Sequence, residues 1–299
     1  MNIFLPVAHI EVNLVLLVSL GLVVGVLAGL FGVGGGFLLT PLLNVFFGIP
    51  YNVAVGSSLA QMVLTAFSGS IRHLRERHVD YRLALSFFLG AIAGVRGGMR
   101  ILSSFSSDVQ YCIRGHIICQ LDLYMSIIYL VFLLSVGSYM VYETFRAGRS
   151  DCEVETGISR WIRSISIPPV IRFPSMEGRS ISIWPVLVLG VMVGTLSGLL
   201  GVGGGFILMP VLVYLMGVPT KMAIGTSLVQ TFFTALFGAS GHFLEGNVDP
   251  LLVILILLGS VVGAQTGAWL TTKIDCVALR KYFGFLVLLS ALIIIMKYL

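Results

Sequence analysis

The chain has 299 residues, 57% of them hydrophobic and 10% charged, with a formal net charge of +5. A soluble domain carries about 25% charged residues, so this composition cannot cover a water-facing surface and excludes a soluble enzyme or binding module. The excess positive charge sits in loops, which points to membrane orientation rather than nucleic acid, and the unalternating apolar runs exclude the strands of an outer-membrane barrel.

In chain order the apolar runs predict helices at Val12 to Phe31, Phe37 to Phe47, Tyr51 to Ile71, Tyr81 to Gly97 and Leu123 to Phe145. After a polar stretch they resume at Ile183 to Leu200, Phe206 to Met216, Lys221 to Gly241, Pro250 to Thr271 and Tyr282 to Met296. No cationic segment or small-residue cleavage site precedes the first run, so Glu11 onward reads as a mature span, not a signal peptide. The predicted organisation is a first transmembrane repeat over 1–146, a polar cytoplasmic linker over 147–182 that is expected to be mobile, and a second repeat over 183–299.

The two halves are copies. Shifted by 169 positions, Gly25 to Gly98 aligns without a gap on Gly194 to Gly267, with 32 of 74 positions identical. Each copy carries a glycine cluster inside an apolar run, GLFGVGGGFLLTPLL at Gly29 to Leu43 and GLLGVGGGFILMPVL at Gly198 to Leu212. As one straight helix the 36 residues from Val12 to Phe47 would be ~54 Å long, against a hydrocarbon core of ~30 Å. That is too long for one crossing and too short for two. A helix, a glycine break and a short helix that returns part of the way resolves the mismatch. Backbone opened at that depth is tolerated only inside protein or beside a wet cavity. The predicted fold is therefore an all-α integral membrane protein with eight full transmembrane helices and two broken, re-entrant short helices.

Lys and Arg set the orientation. The stretch Arg72 to Arg82 holds four arginines, whereas its counterpart, Gly241 to Leu251, holds none and carries Glu245 and Asp249. Equivalent loops with opposite charge bias favour two repeats inserted upside down to one another. With Arg72 to Arg82 in the cytoplasm, the stretch Arg146 to Arg179 with its six arginines and Lys273, Arg280 and Lys281 also fall inside, and both termini fall outside.

Four groups of residues are candidates for function. The first is the glycines, Gly32, Gly34, Gly35 and Gly36 with Gly201, Gly203, Gly204 and Gly205. They allow the backbone to open, and the short helix that follows presents free N–H groups and its positive dipole end to an anion. The alternative is close helix packing by small residues. The second group is Ser57, Ser58 and Gln61 with Thr226, Ser227 and Gln230. They offer hydroxyl and amide groups at membrane depth, either to an oxyanion or across helices, and the three-residue step puts Ser58 and Gln61 on one face. The third is His73 and His242 near helix ends, either proton-sensitive gates or interfacial polar residues. In the same stretches, Asp80 and Asp249 read as helix N-caps, Asp249 with Pro250 at the first helical position. The fourth is Arg96, which either pairs with an anion or snorkels outward. Cys112, His116 and Cys119 do not match a familiar zinc spacing, so no metal site is expected, nor any cofactor or nucleic-acid partner.

The glycine-proline motif, the G-[ST]-S step, the helix-end histidine, the Val-Asp turn and the duplication together resemble the TauE/SafE sulfite exporter family of membrane permeases. The resemblance covers both repeats and implies a permease of the cell (inner) membrane. The implied substrates are small sulfur oxyanions or organosulfonates such as sulfite. From the residues themselves, a secondary transporter for a small anion is the leading reading, since no Walker A motif offers ATP as a driver. An anion channel is the alternative. An intramembrane serine protease is disfavoured because His73 lies 15 residues beyond Ser58 on the same helix, ~22 Å away.

Overall fold

The computed structural model describes residues 2–104, 110–113, 116–146, 152, 156–165, 167–176, 180–201 and 203–298. An antiparallel hairpin of β1 (Asn2–Leu5) and β2 (Ile10–Asn13) leads into α1 (Leu14–Phe31). α2 (Gly36–Phe47), α3 (Tyr51–Arg75) and α4 (Tyr81–Ser104) follow. A second hairpin, β3 (Gln110–Ile113) and β4 (His116–Cys119), precedes α5 (Gln120–Arg146). Cys112, His116 and Cys119 fall on this hairpin, but their side chains lie outside the described residues.

The linker is structured where it is described. α6 (Gly157–Ser164) is closed by a capping box in which Thr156 Oγ1 accepts from Ser159 N–H and Ser159 Oγ accepts from Thr156 N–H. A third hairpin, β5 (Val170–Arg172) and β6 (Ser180–Ser182), enters α7 (Ile183–Leu200). α8 (Gly205–Pro210) continues as a π-helical stretch, Val211–Leu215. α9 (Thr220–Leu244), α10 (Pro250–Lys273) and α11 (Cys276–Tyr298) complete the chain.

Among the described residues, eight helices are long and apolar enough to cross a membrane, and the two short apolar helices follow the glycine clusters as expected. The chain is an all-α, multi-pass membrane protein. α11 begins six residues before the predicted span because its cations are accommodated. Arg280 is buried and donates to Thr220 Oγ1 at 3.3 Å, and Lys281 Nζ lies 5.4 Å from the Phe145 ring centre.

The two copies are interleaved, not laid side by side. α1 packs along α10, and α7 along α4. Glycines form both seams. A Cβ on Gly21, Gly25 or Gly29 would overlap the α10 backbone at Ile256, Ser260 or Ala264, and one on Gly259, Gly263 or Gly267 would overlap α1. Gly190, Gly194 and Gly198 meet α4 the same way, and Gly90, Gly94 and Gly98 meet α7. Small residues at four-residue spacing let backbones touch, which drives helix association where lipid removes the hydrophobic incentive. Numbers rise together along each seam, so these paired helices are parallel.

The equivalent helices α3 and α9 are antiparallel. Gly56, near the start of α3, faces His242 near the end of α9, and Gly225, near the start of α9, faces His73 near the end of α3. Asp249, at the start of α10, joins the segment before α1 to the first turns of α3. Its carboxylate accepts from Val7 and Ala8 N–H at 2.9 and 3.3 Å, and its own N–H donates to Ser57 Oγ at 3.0 Å. α1 and α3 therefore start at the same end of the bundle, and the chain between them doubles back through α2. Asp80 performs the same joining at the other end, where the linker lies. It accepts from Ser175 N–H and Oγ at 3.0 and 2.7 Å and donates from its N–H to Thr226 Oγ1 at 3.0 Å.

The linker is anchored at that end. Arg163 donates to the Met216 carbonyl at 2.8 Å and the Gly217 carbonyl at 3.0 Å, placing a cation at the C-terminus of the α8 segment. Thr156 Oγ1 donates to Tyr214 O at 2.6 Å, and Cys152 is disulfide-bonded to Cys276. The expectation of a mobile tether fails for these residues because side chains and a covalent bond hold them to the helices.

Candidate functional site

Both predicted breaks are present, and both are built by glycines in the left-handed region. φ is 75° at Gly32, 71° at Gly34 and 91° at Gly35, and 69°, 65° and 81° at Gly201, Gly203 and Gly204. Side chains other than glycine rarely adopt this conformation. Gly32 N–H closes α1 on Ala28 O at 2.9 Å, and Gly201 N–H closes α7 on Ser197 O at 2.9 Å. Gly35 and Gly204 then start the short helices, accepting from residues three and four positions on. The first N–H groups of each short helix have no intrahelical acceptor by geometry.

The two short helices start against one another. The rings of the equivalent residues Phe37 and Phe206 stack with centres 5.4 Å apart, at 17°. A Cβ on Gly36 would lie 2.8 Å from Gly201 O, and one on Gly205 would lie 2.9 Å from Val33 Cα. Between the breaks stand Met62 and Thr231, themselves an equivalent pair. The methionine thioether touches the space beside Gly34, Gly36 and Gly203, and the threonine side chain that beside Gly34, Gly203 and Gly205.

Thr231 Oγ1 and Gln230 Oε1 lie beside Gly205 and Gly204. Ser58 Oγ, Gln61 Oε1, Ser197 Oγ, Gln230 Oε1 and Thr231 Oγ1 are all buried with no hydrogen-bond partner among the described residues. Gln61 and Gln230 are held alike, their amides donating to Thr65 Oγ1 and Thr234 Oγ1. Gln230 Oε1 lies 3.8 Å from a Cβ position on Gly204. A buried polar atom without a partner costs about 1–3 kcal/mol.

Other predicted residues lie elsewhere. Ser57 and Thr226 are engaged with Asp249 and Asp80 in the interlocks. Ser227 Oγ donates to Gly32 O at 2.7 Å and so braces the first break. His73 and His242 are buried at opposite ends of the bundle, with His73 Nε2 3.4 Å from Gly29 O and His242 Nδ1 3.8 Å from Glu245 Oε2. In the turn after α3, burial holds His78 below the ordinary imidazole value, with Glu76 opposing and Lys221 lowering it further. Asp80 and Asp249 are N-caps, accepting from the N–H groups two and three residues on at 3.1 Å.

Arg96 is outside this group. Its guanidinium sits over the Phe237 ring at 5.3 Å on an exposed face. Its counterpart Gln265 donates to Ser68, and Ser68 is the counterpart of Phe237. One copy uses a cation–π contact where the other uses hydrogen bonds, at the same crossing of helices. Met62, Thr231 and Ser197 are the residues that sequence reasoning missed. A four-residue step from Ser58 and Ser227 reaches Met62 and Thr231 on the same face as the three-residue step to the glutamines.

The interleaved bundle and its eight long apolar helices define a multi-pass membrane protein. A family model described as Sulfite exporter TauE/SafE matches residues 17–294, and the chain belongs to that family. It is 26% identical to the probable membrane transporter protein YunE of Bacillus subtilis, over 88% of this chain and 90% of that protein. It is 24% identical to the probable membrane transporter protein YdhB of the same organism (89% and 94%). It is also 24% identical to a probable membrane transporter protein of Methanocaldococcus jannaschii, MJ0441, over 89% of each chain. No solved structure matches the chain.

Proposed function

We propose that this protein is a secondary permease of the cell (inner) membrane for small anions, most directly sulfur oxyanions or organosulfonates such as sulfite. The solute is held between the two glycine breaks. The observation that carries this reading is the meeting of the two short-helix starts beside the buried, unpartnered oxygens of Gln230 and Thr231. Each helix N-terminus is equivalent to roughly half a positive charge, so two of them balance about one negative charge. Gly32, Gly34, Gly35 and Gly36 and their counterparts supply the backbone, with Ser58, Gln61 and Gln230 beside them.

The two repeats are inverted, and rocking of one against the other exposes the solute alternately to each side. The antiparallel course of α3 and α9 and the opposite ends reached by Asp80 and Asp249 support the inversion. The arginine-rich linker end is cytoplasmic. His73 and His242, one at each end, act as proton-linked gates. The repeat unit includes its entry hairpin, because Asn13 and Ser182 cap α1 and α7 at the same 169-residue offset. Uptake of labelled sulfite into proteoliposomes of the purified protein tests the reading. Saturable flux supports a carrier, unsaturable flux a channel, and no flux of any sulfur anion refutes both.

A further inference from the structure

The linker carries large apolar side chains outside every spanning helix. In α6, Ile158 and Trp161 are 51% and 66% exposed, and Ile167 just beyond it is 56% exposed. Helical spacing puts Ile158, Trp161 and Ile162 on one face of α6 and Arg160 and Arg163 on the other. A helix so divided lies flat in the membrane interface, its apolar face towards the acyl chains and its arginines at headgroup depth. Trp184, in the first turn of α7, is half-exposed and donates from its indole N–H to Pro168 O at 3.0 Å, which fixes a second tryptophan beside the linker. Tryptophan collects at that depth because one end of its ring is apolar and the other wet.

α6 also borders an apolar groove of about 420 Å³. Ser135 of α5, Met192 of α7, and Pro210 and Val211, where α8 turns π-helical, line it, and Ile158 reaches it from the linker. Ser135 Oγ is bonded within its own helix to Val131 O at 2.7 Å, and every other lining side chain is apolar or a tyrosine. α6 has two arginines and no acidic residue. Arg163 is occupied by the carbonyls of Met216 and Gly217, whereas Arg160 is exposed and its guanidinium has no partner among the described residues.

We propose that the groove is the seat of one anionic phospholipid. An acyl chain lies along it against the α8 segment, and the phosphate sits at Arg160. Since lipid or detergent surrounds the protein in any case, the chain is held by packing against the walls, not by transfer out of water. The arginine selects the headgroup.

The test is native mass spectrometry of the purified full-length protein, stripped of lipid and titrated with phosphatidylglycerol or phosphatidylcholine of the same chains. The wild type binds one phosphatidylglycerol roughly fivefold more tightly than phosphatidylcholine, the preference one arginine gives at an anionic surface. Arg160→Gln brings the two lipids level; the residue is exposed, so this variant reports whether or not a bulkier one folds. Ser135→Phe with Met192→Phe fills the groove and abolishes tight binding of both lipids. Leu64→Phe with Leu236→Phe, made in an apolar groove at the opposite end of the bundle, leaves it in place. Excess glycerol 3-phosphate, which has the charge and no chain, does not compete. Equal affinities in the wild type, a preference that survives Arg160→Gln, tight binding in the filled variant, or displacement by glycerol 3-phosphate overturns the site. So does a lipid-free wild-type dimer that the filled variant loses, which gives the groove to a second copy.

Discussion

The hydroxyl of Ser57 accepts a hydrogen bond from the backbone N–H of Asp249 at 3.0 Å, and their counterparts at the 169-residue offset, Thr226 and Asp80, reproduce the contact at 3.0 Å. Each bond crosses from one copy to the other. Each aspartate also caps its own helix with one carboxylate oxygen and holds the segment before a first helix with the other. Ser57→Ala and Thr226→Val each leave a buried N–H unpaired, which costs about 1–3 kcal/mol. Thermal unfolding of the purified variants should show two similar decreases. A large loss in one variant and none in the other would contradict the equivalence of the two interlocks.

The glycine seams give a sharper effect. A Cβ on Gly25 lies 2.6 Å from Ser260 Cα, and one on Gly94 lies 2.6 Å from Thr195 N, so neither helix pair accepts a side chain without separating. Gly25→Leu and Gly94→Leu are expected to abolish the folded protein, since overpacking against backbone costs about 1–3 kcal/mol or more. Detergent size exclusion reports this as loss of the monodisperse peak. A folded Gly25→Leu protein would show that α1 and α10 are not in backbone contact.

Much of this architecture was legible. The 169-residue offset, the two breaks, the eight spans and the two aspartate caps could be read directly, because glycine tolerance, apolar length and capping chemistry are local properties. The interleaving of the copies could not. Gly21, Gly25 and Gly29 announce a close partner, but nothing in their spacing says that the partner is α10, 230 residues or more away. Arg96 shows the same limit. An intramembrane arginine reads as a functional charge, and only its placement over Phe237 reveals a contact between helices. Met62 and Thr231 were overlooked because neither is unusual by itself. Their meaning comes from being equivalent positions that meet.

Sidedness gives a third prediction. Glu76 and Glu245 are equivalent residues in turns at opposite ends of the bundle. In a background lacking Cys112 and Cys119, Glu76→Cys should resist a membrane-impermeant maleimide applied to intact cells, and Glu245→Cys should react. Labelling of both from the same side would contradict the inverted arrangement. The Cys152–Cys276 pair lies at the arginine-rich end.

The breaks themselves yield the fourth prediction. Gly35 and Gly204 combine φ values of 91° and 81° with a Cβ position 2.6 Å from Val24 Cγ1 and 2.8 Å from Val193 Cγ1. A side chain there meets both backbone strain, about 1–3 kcal/mol at such a site, and a neighbouring valine. Gly35→Val and Gly204→Val should insert into the membrane yet carry no labelled sulfite, and Gly35→Ala should retain part of the flux. Full transport by both valine variants would remove the breaks from the mechanism.

The central claim is that two opposed glycine breaks hold a small anion in the middle of the bundle. Thermal stabilisation of the purified protein over a panel of sulfur oxyanions, sulfonates, carboxylates and cations measures it most directly. The account predicts a concentration-dependent rise in melting temperature with sulfite or short sulfonates that disappears in Gly35→Val and Gly204→Val. Stabilisation by cations alone, or an anion effect that survives in both valine variants, would contradict it.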